Sequence, residues 1–286
     1  MSATFFSTIS PLRLHNQQLI DAQLAKVEDV VHWLGAVQAQ DFVAAKWALA
    51  LRVPSATEAA VERAFNEGKI LRTHVLRPTW HFASPTDIRW MLLLTAPRIR
   101  QNRIHDQRKL ELDKSLFKRC RAALTTALRG NNPLPRKELR TVLDRARLGT
   151  RGEERLAHIL MRLELEGLIC SGPRQGKQFT YMLLDEAQAK YKTHAKLSAE
   201  DFDRDTALAE LSRRYLTSRG PATAQDFAWW SGLTIGEAKS GFEMVRAEFG
   251  SSRSKGRLTG FLTGRTSLVR GRAIRSCICC QSMTNW

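Results

Sequence analysis

The chain has 286 residues, 43% of them hydrophobic, and its 45 lysines and arginines outnumber 28 acidic residues, giving a net charge of +17 and an isoelectric point near 10.3. No run of about 18 apolar residues could span a bilayer, and the N-terminus MSATFFSTISPLRLHNQQ lacks the basic-then-apolar order of a secretory signal. Neither a membrane-spanning nor an exported class is expected; the expectation is a cytoplasmic, nucleoid-associated chain of two or three small domains with duplex DNA as partner.

Apolar positions at helical spacing occupy 27 to 37, and Asp41 is placed to cap a second helix reaching about Leu51. Ser55 and Glu58 have the spacing of a capping box for a third helix, which Gly68 ends. The period then changes. ILRTHV (70–75) and PTWHFA (78–83) read as a hairpin, after which Ser84, Pro85 and Asp87 restart a helix through Leu94. Three helices and a hairpin predict a winged helix over 1–95.

The pattern recurs over 96–197. Pro135 opens a helix to about Ala146, Thr150 and Glu153 cap another that ends near Gly167, and LICSG and FTYMLL flank the tip PRQGKQ as two strands. On the second of these helices Leu156, Ile159, Leu160 and Leu163 form an apolar stripe, while Arg151, Arg155, His158 and Arg162 share a different face. Such a run can be a solvated charged face; on the helix that a winged helix presents to DNA, it points to phosphate or groove contact. Cys120 and Cys170 sit in apolar surroundings as reduced, buried thiols.

A third copy over 198–249 opens with a helix from Arg204 to Ser218 and reaches a helix capped by Thr234 and Glu237. Its wing should follow, yet residues 250–286 hold five Gly, six Ser, seven basic residues and no acid. That segment is expected to be disordered, leaving the third copy incomplete. Cys277, Cys279 and Cys280 within it lack a spaced second pair or a nearby His, so no metal and no cofactor are expected. The fold expected is mainly α with short β-hairpins, in tandem winged-helix modules.

GAVQAQDFVAAKWAL (35–49), ILRTHVLRPTWHFASP (70–85), GLICSGPRQGKQFTYMLL (167–184) and RGPATAQDFAWWSGLT (219–234) together resemble the AlkZ/YcaQ-type DNA glycosylases of bacteria. The resemblance implies an active cleft containing a Gln-x-Gln motif, matched by Gln38 and Gln40, and it favours the AlkZ branch because the YcaQ branch carries Asp at the second position. Read without a family, the two amides would serve helix-end backbone groups. In an extended connection they converge on one side, which residues two apart on a helix do not. An amide cannot remove a proton; it can orient a water and support developing positive charge. Such a site suits a leaving group that is already good, and the resemblance implies hydrolysis of the N-glycosidic bond of N3- or N7-alkylated purines or crosslinked bases.

Family members share a Thr-Trp-His stretch, here Thr79, Trp80 and His81. The resemblance makes His81 the third catalytic candidate, the group able to titrate near neutral pH, against a structural histidine as the plain reading. Trp80, Trp229 and Trp230 read as core. Arg72, Arg77, Thr79, Arg174 and Lys177 complete the DNA-contacting candidates, with solubility as the alternative for the cations. A non-catalytic winged-helix regulator is the alternative function, and a scaffold with a vestigial cleft a third. Family members continue into a further β-rich domain with a Leu-Leu-Pro-x-Tyr/Phe-Asp-Glu stretch, and the codons of residues 277–285 can be chosen so that a shifted frame reads His-Leu-Leu-Pro-Ile-Tyr-Asp-Glu. A frameshift from about Gly250, with the C-terminal part missing, is therefore expected.

Overall fold

Val27, Val30, Val31 and Leu34 recur on one face and become the buried stripe of helix α2 (Val27–Leu34). Gly35, at φ 74°, stops that helix, and the chain leaves it extended as strand β1 (Ala36–Gln38). The computed structural model describes residues 3–149, 152–189, 203–254 and 257–263. As expected, Asp41 caps α3 (Phe42–Ala50), its carboxylate accepting from the Ala44 amide at 3.0 Å. The cap of α4 (Glu58–Asn66) is Thr57, which accepts from Ala60 at 3.2 Å, and not Ser55. Strands β2 (Leu71–His74) and β3 (Trp80–Ala83) then form the first hairpin, and α5 (Ile88–Asn102) continues well past Leu94. A helix the sequence did not announce, α1 (Ala3–Asn16), is tied at its C-terminal end to a distant loop: Arg13 donates to the Pro221 carbonyl at 2.7 Å and Asn16 to that of Gly220 at 2.8 Å.

The second unit comprises α6 (Ile104–Lys109), α7 (Lys114–Leu128), β4 (Leu134–Pro135), α8 (Arg136–Arg145), α9 (Glu153–Leu165), β5 (Ile169–Gln175), β6 (Gln178–Leu183) and α10 (Leu184–Gln188). The third comprises α11 (Arg204–Arg219), α12 (Ala224–Ser231) and α13 (Ile235–Met244), the last two opened by reciprocal capping boxes at Thr223/Asp226 and Thr234/Glu237.

Composition misled at the end of this unit. Residues 249–254 (β7) and 257–263 (β8) pair antiparallel, Gly250 opposite Leu262 and Ser254 opposite Arg257, so the expectation of no regular structure from Gly250 onward is corrected there. A hairpin satisfies its backbone groups by pairing and needs little from its side chains for that, and β8 also lies against α11. The expected disorder of 264–286, with Cys277, Cys279 and Cys280, falls outside the described residues.

The two hairpins expected as separate wings share one antiparallel sheet in the order β1-β3-β2-β5-β6-β4, joined where Arg72 of β2 meets Ser171 of β5. Three buried clusters flank it. One, around Phe42, Phe65 and Phe82, lies under α2–α4; another, around Leu124, Leu139 and Leu163, under α7–α9; the third joins α5 to α11–α13 around Trp90, Leu211 and Phe227. At the open edge of the sheet, Arg219 donates to the carbonyls of Leu34 at 2.6 Å and Ala36 at 3.0 Å. No described helix is long and apolar enough to cross a membrane.

Candidate active site

Gln38 and Gln40 are both exposed, and Ala39 between them is fully buried. Two bonds fix that arrangement: the Ala39 amide donates to the Trp80 carbonyl at 2.7 Å, and the Ala39 carbonyl accepts from Arg72 Nε at 2.9 Å. With the middle residue pinned from both sides, its neighbours are turned outward, as the extended reading anticipates. The Trp80 amide reaches Gln40 Oε1 at 3.5 Å, a long contact. Gln38 is opposite His81, and His81 is opposite Thr73 across the next strand. Cross-strand partners share a face, so these three side chains line one side of the sheet while Arg72, His74 and Trp80 take the other.

His81 is only 1% exposed, and its Nδ1 donates to the Thr79 carbonyl at 2.9 Å. Burial pushes its pKa down to about 3; the bond to Thr79 opposes this, and the charges of Arg77, His74 and Arg219 add to the fall. In place of the expected group titrating near neutrality, the fold holds an imidazole that is neutral at neutral pH. Around it, Thr73 Oγ1, Thr79 Oγ1 and Arg77 Nε are buried without a hydrogen-bond partner. Arg77 is half-buried, with its guanidinium 5.1 Å from the Trp229 ring. Trp229, expected in the core, is 72% exposed, whereas Trp230 stacks with Phe227, packs at a tilt against Tyr215 and receives Arg219 at 4.4 Å.

The basic candidates divide by what already holds them. Arg72 is buried, sandwiched between the Trp80 and Phe179 rings at 4.4 and 4.5 Å, so it is not an exposed phosphate contact. The open stripe expected on α9 is also corrected. Arg155 donates to the Leu110 carbonyl at the end of α6, His158 is buried, and Arg162 binds Glu166 at 2.5 Å over the Phe117 ring. α9 packs against α7 and α5, so the face that the sequence leaves free is the one the protein uses. Arg174 bonds Glu62 at 3.1 Å and the Lys177 carbonyl at 2.8 Å, while the Lys177 side chain is exposed. Arg151 lies outside the described residues.

Sequence reasoning missed two features. Glu164 is fully buried; it accepts from the Trp80 indole at 3.2 Å and binds His74 Nδ1, clamping β2 and β3 to α9. A lone glutamate between Leu163 and Leu165 was the available signal. The other is a groove of about 590 Å³ between the two units, floored by Arg72, Trp80, Phe179 and Tyr181. Among the described residues, no group of three His, Cys, Asp or Glu side chains could hold a metal.

The sequence profile described as DNA glycosylase AlkZ-like matches residues 31–273. The chain belongs to the AlkZ-like DNA glycosylase family. Its fold is similar to that of the Streptomyces sahachiroi DNA glycosylase AlkZ, with a TM-score of 0.73 and 24% identity, over 88% of this chain and 68% of that one. No curated protein matches the chain. The AlkZ-like match includes the Gln38–Gln40 strand, both hairpins of the large sheet and the β7–β8 pair, so the change in composition at Gly250 is not where family likeness ends.

Proposed function

We propose that this AlkZ-like chain hydrolyses the N-glycosidic bond of N3- or N7-alkylated purines in duplex DNA, its three helix–hairpin units acting as tandem winged helices. The observation that carries this reading is the pair of exposed amides, Gln38 and Gln40, on either side of the pinned Ala39. Alkylation places positive charge on the purine, so the C1′–N bond breaks with its electron pair leaving to a neutral base. The amide oxygens hold a water on the opposite side and support the positive charge that develops on the sugar. Water oxygen bonds to C1′ and its proton passes to solvent, leaving an abasic site.

His81 does not act as the base: its Nδ1 proton is engaged by the Thr79 carbonyl, and burial holds its pKa at about 3, too low for Nε2 to take a proton from water near neutral pH. Incubation with a duplex containing 7-methylguanine, followed by cleavage at abasic sites, tests the proposal. Gln40→Ala should slow excision by about 10²-fold, the scale for losing one preorganised polar group, with duplex affinity unchanged. Absence of excision by the unaltered chain, with selection of a single operator sequence instead, would replace this reading by the regulator.

A further inference from the structure

The groove between the two hairpin units lies on the opposite side of the sheet from Gln38 and His81, because Trp80 alternates with His81 along β3 and Arg72 with Thr73 along β2. Its floor is aromatic, from Trp80, Phe179 and Tyr181, with the Arg72 guanidinium between the first two rings. The Trp80 ring is set before anything binds: its indole N–H is held by Glu164 at 3.2 Å, and the His74 ring packs against it, tilted by 44°, at 4.4 Å. Around the floor, Arg136 and Arg140 both bind Glu153, while Lys137 and Lys177 are exposed cations. Among the described residues, Glu153 is therefore the one carboxylate lining the groove against four rim cations, Arg136, Lys137, Arg140 and Lys177. An aromatic floor under a rim with a net excess of positive charge matches an aromatic base attached to a phosphodiester, and the volume is in the range of small-molecule sites.

We propose that this groove takes up one unstacked nucleotide of bound DNA, separate from the nucleotide presented to the glutamine pair. The proposal rests on the DNA-directed reading above and adds a second recognition point to it. Duplexes carrying 2-aminopurine, either in a single-nucleotide bulge or fully paired, serve as probes, read by binding and by 2-aminopurine fluorescence. The bulged duplex should bind roughly tenfold more tightly than the paired one, with its fluorescence quenched by stacking. Phe179→Leu should lower that ratio toward one and relieve the quenching without altering charge. Lys137→Glu with Lys177→Glu, both at exposed positions, should do the same while weakening binding to both duplexes. Equal binding of bulged and paired DNA, or a ratio unmoved by these variants, overturns the groove and leaves the glycosylase reading standing. Failure to bind either duplex overturns both.

Discussion

At His81 the surroundings reverse what the residue type suggests. Its ordinary pKa of 6.5 falls to about 3 in the folded chain. Because the folded value is the lower one, the neutral ring stabilises the fold fully above pH 6.5, and this contribution is lost as pH falls toward 3. The imidazole resonances of His81 in a proton NMR titration should therefore stay fixed from pH 8 to 5, and excision should show no inflection from this group there; movement near neutrality would reinstate it as a base. Asp87 behaves in the usual carboxylate direction. Burial opposes its ionisation, but His32 at 3.3 Å and Arg214 at 2.6 Å more than offset this and hold its pKa below 3.8. Its contribution is present above about pH 4 and fades below, and Asp87→Asn should lower unfolding free energy by about 2 kcal/mol at neutral pH by leaving Arg214 with Glu210 as its remaining carboxylate. Chemical denaturation at pH 7 and pH 3 checks both statements. The extended setting of Gln38 and Gln40 was legible in the sequence because period and cap chemistry are local, whereas their candidacy as a site came from the family resemblance. The state of His81 was not, since it depends on residues as distant in sequence as Arg219.

Among the elements, local signals placed helices well and faces poorly. Asp41, Thr234 and Glu237 cap as their spacing suggests, because a cap needs only the next turn. The arginines of α9 could not be oriented from sequence, because the Leu110 carbonyl that holds Arg155 is 45 residues away. Arg155→Ala should accordingly leave the salt dependence of DNA binding unchanged and lower thermal stability. Lys177→Ala should instead reduce the slope of log affinity against log salt by about 0.9. Gly232, at φ 73°, ends α12 where an added Cβ would be 2.4 Å from the Leu76 carbonyl oxygen. Gly232→Ala should cost about 1–3 kcal/mol in a denaturant titration, because neither backbone can give way there. No pattern in the sequence marks that contact between the third unit and the first hairpin.

Over the whole molecule, the repeat was visible in the sequence but the joining of its copies was not. Two hairpins about a hundred residues apart meet through Arg72 and Ser171, and Glu164 reinforces the seam from α9. Such a union also protects each hairpin, since the strand edges that would otherwise stay bare are paired with each other. What remains open is β4, only two residues long and containing a proline with no N–H, and β1, which carries Gln38. A strand on a sheet margin invites a second molecule to add its own strand, which here would bury Gln38. Arg219 stands in the way, its guanidinium bridging the Leu34 and Ala36 carbonyls. Solubility and access to Gln38 thus depend on the same side chain. Arg219→Ala should promote aggregation on heating, seen by light scattering, and Arg219→Lys, with a single ammonium in place of the fork, should only partly suppress it.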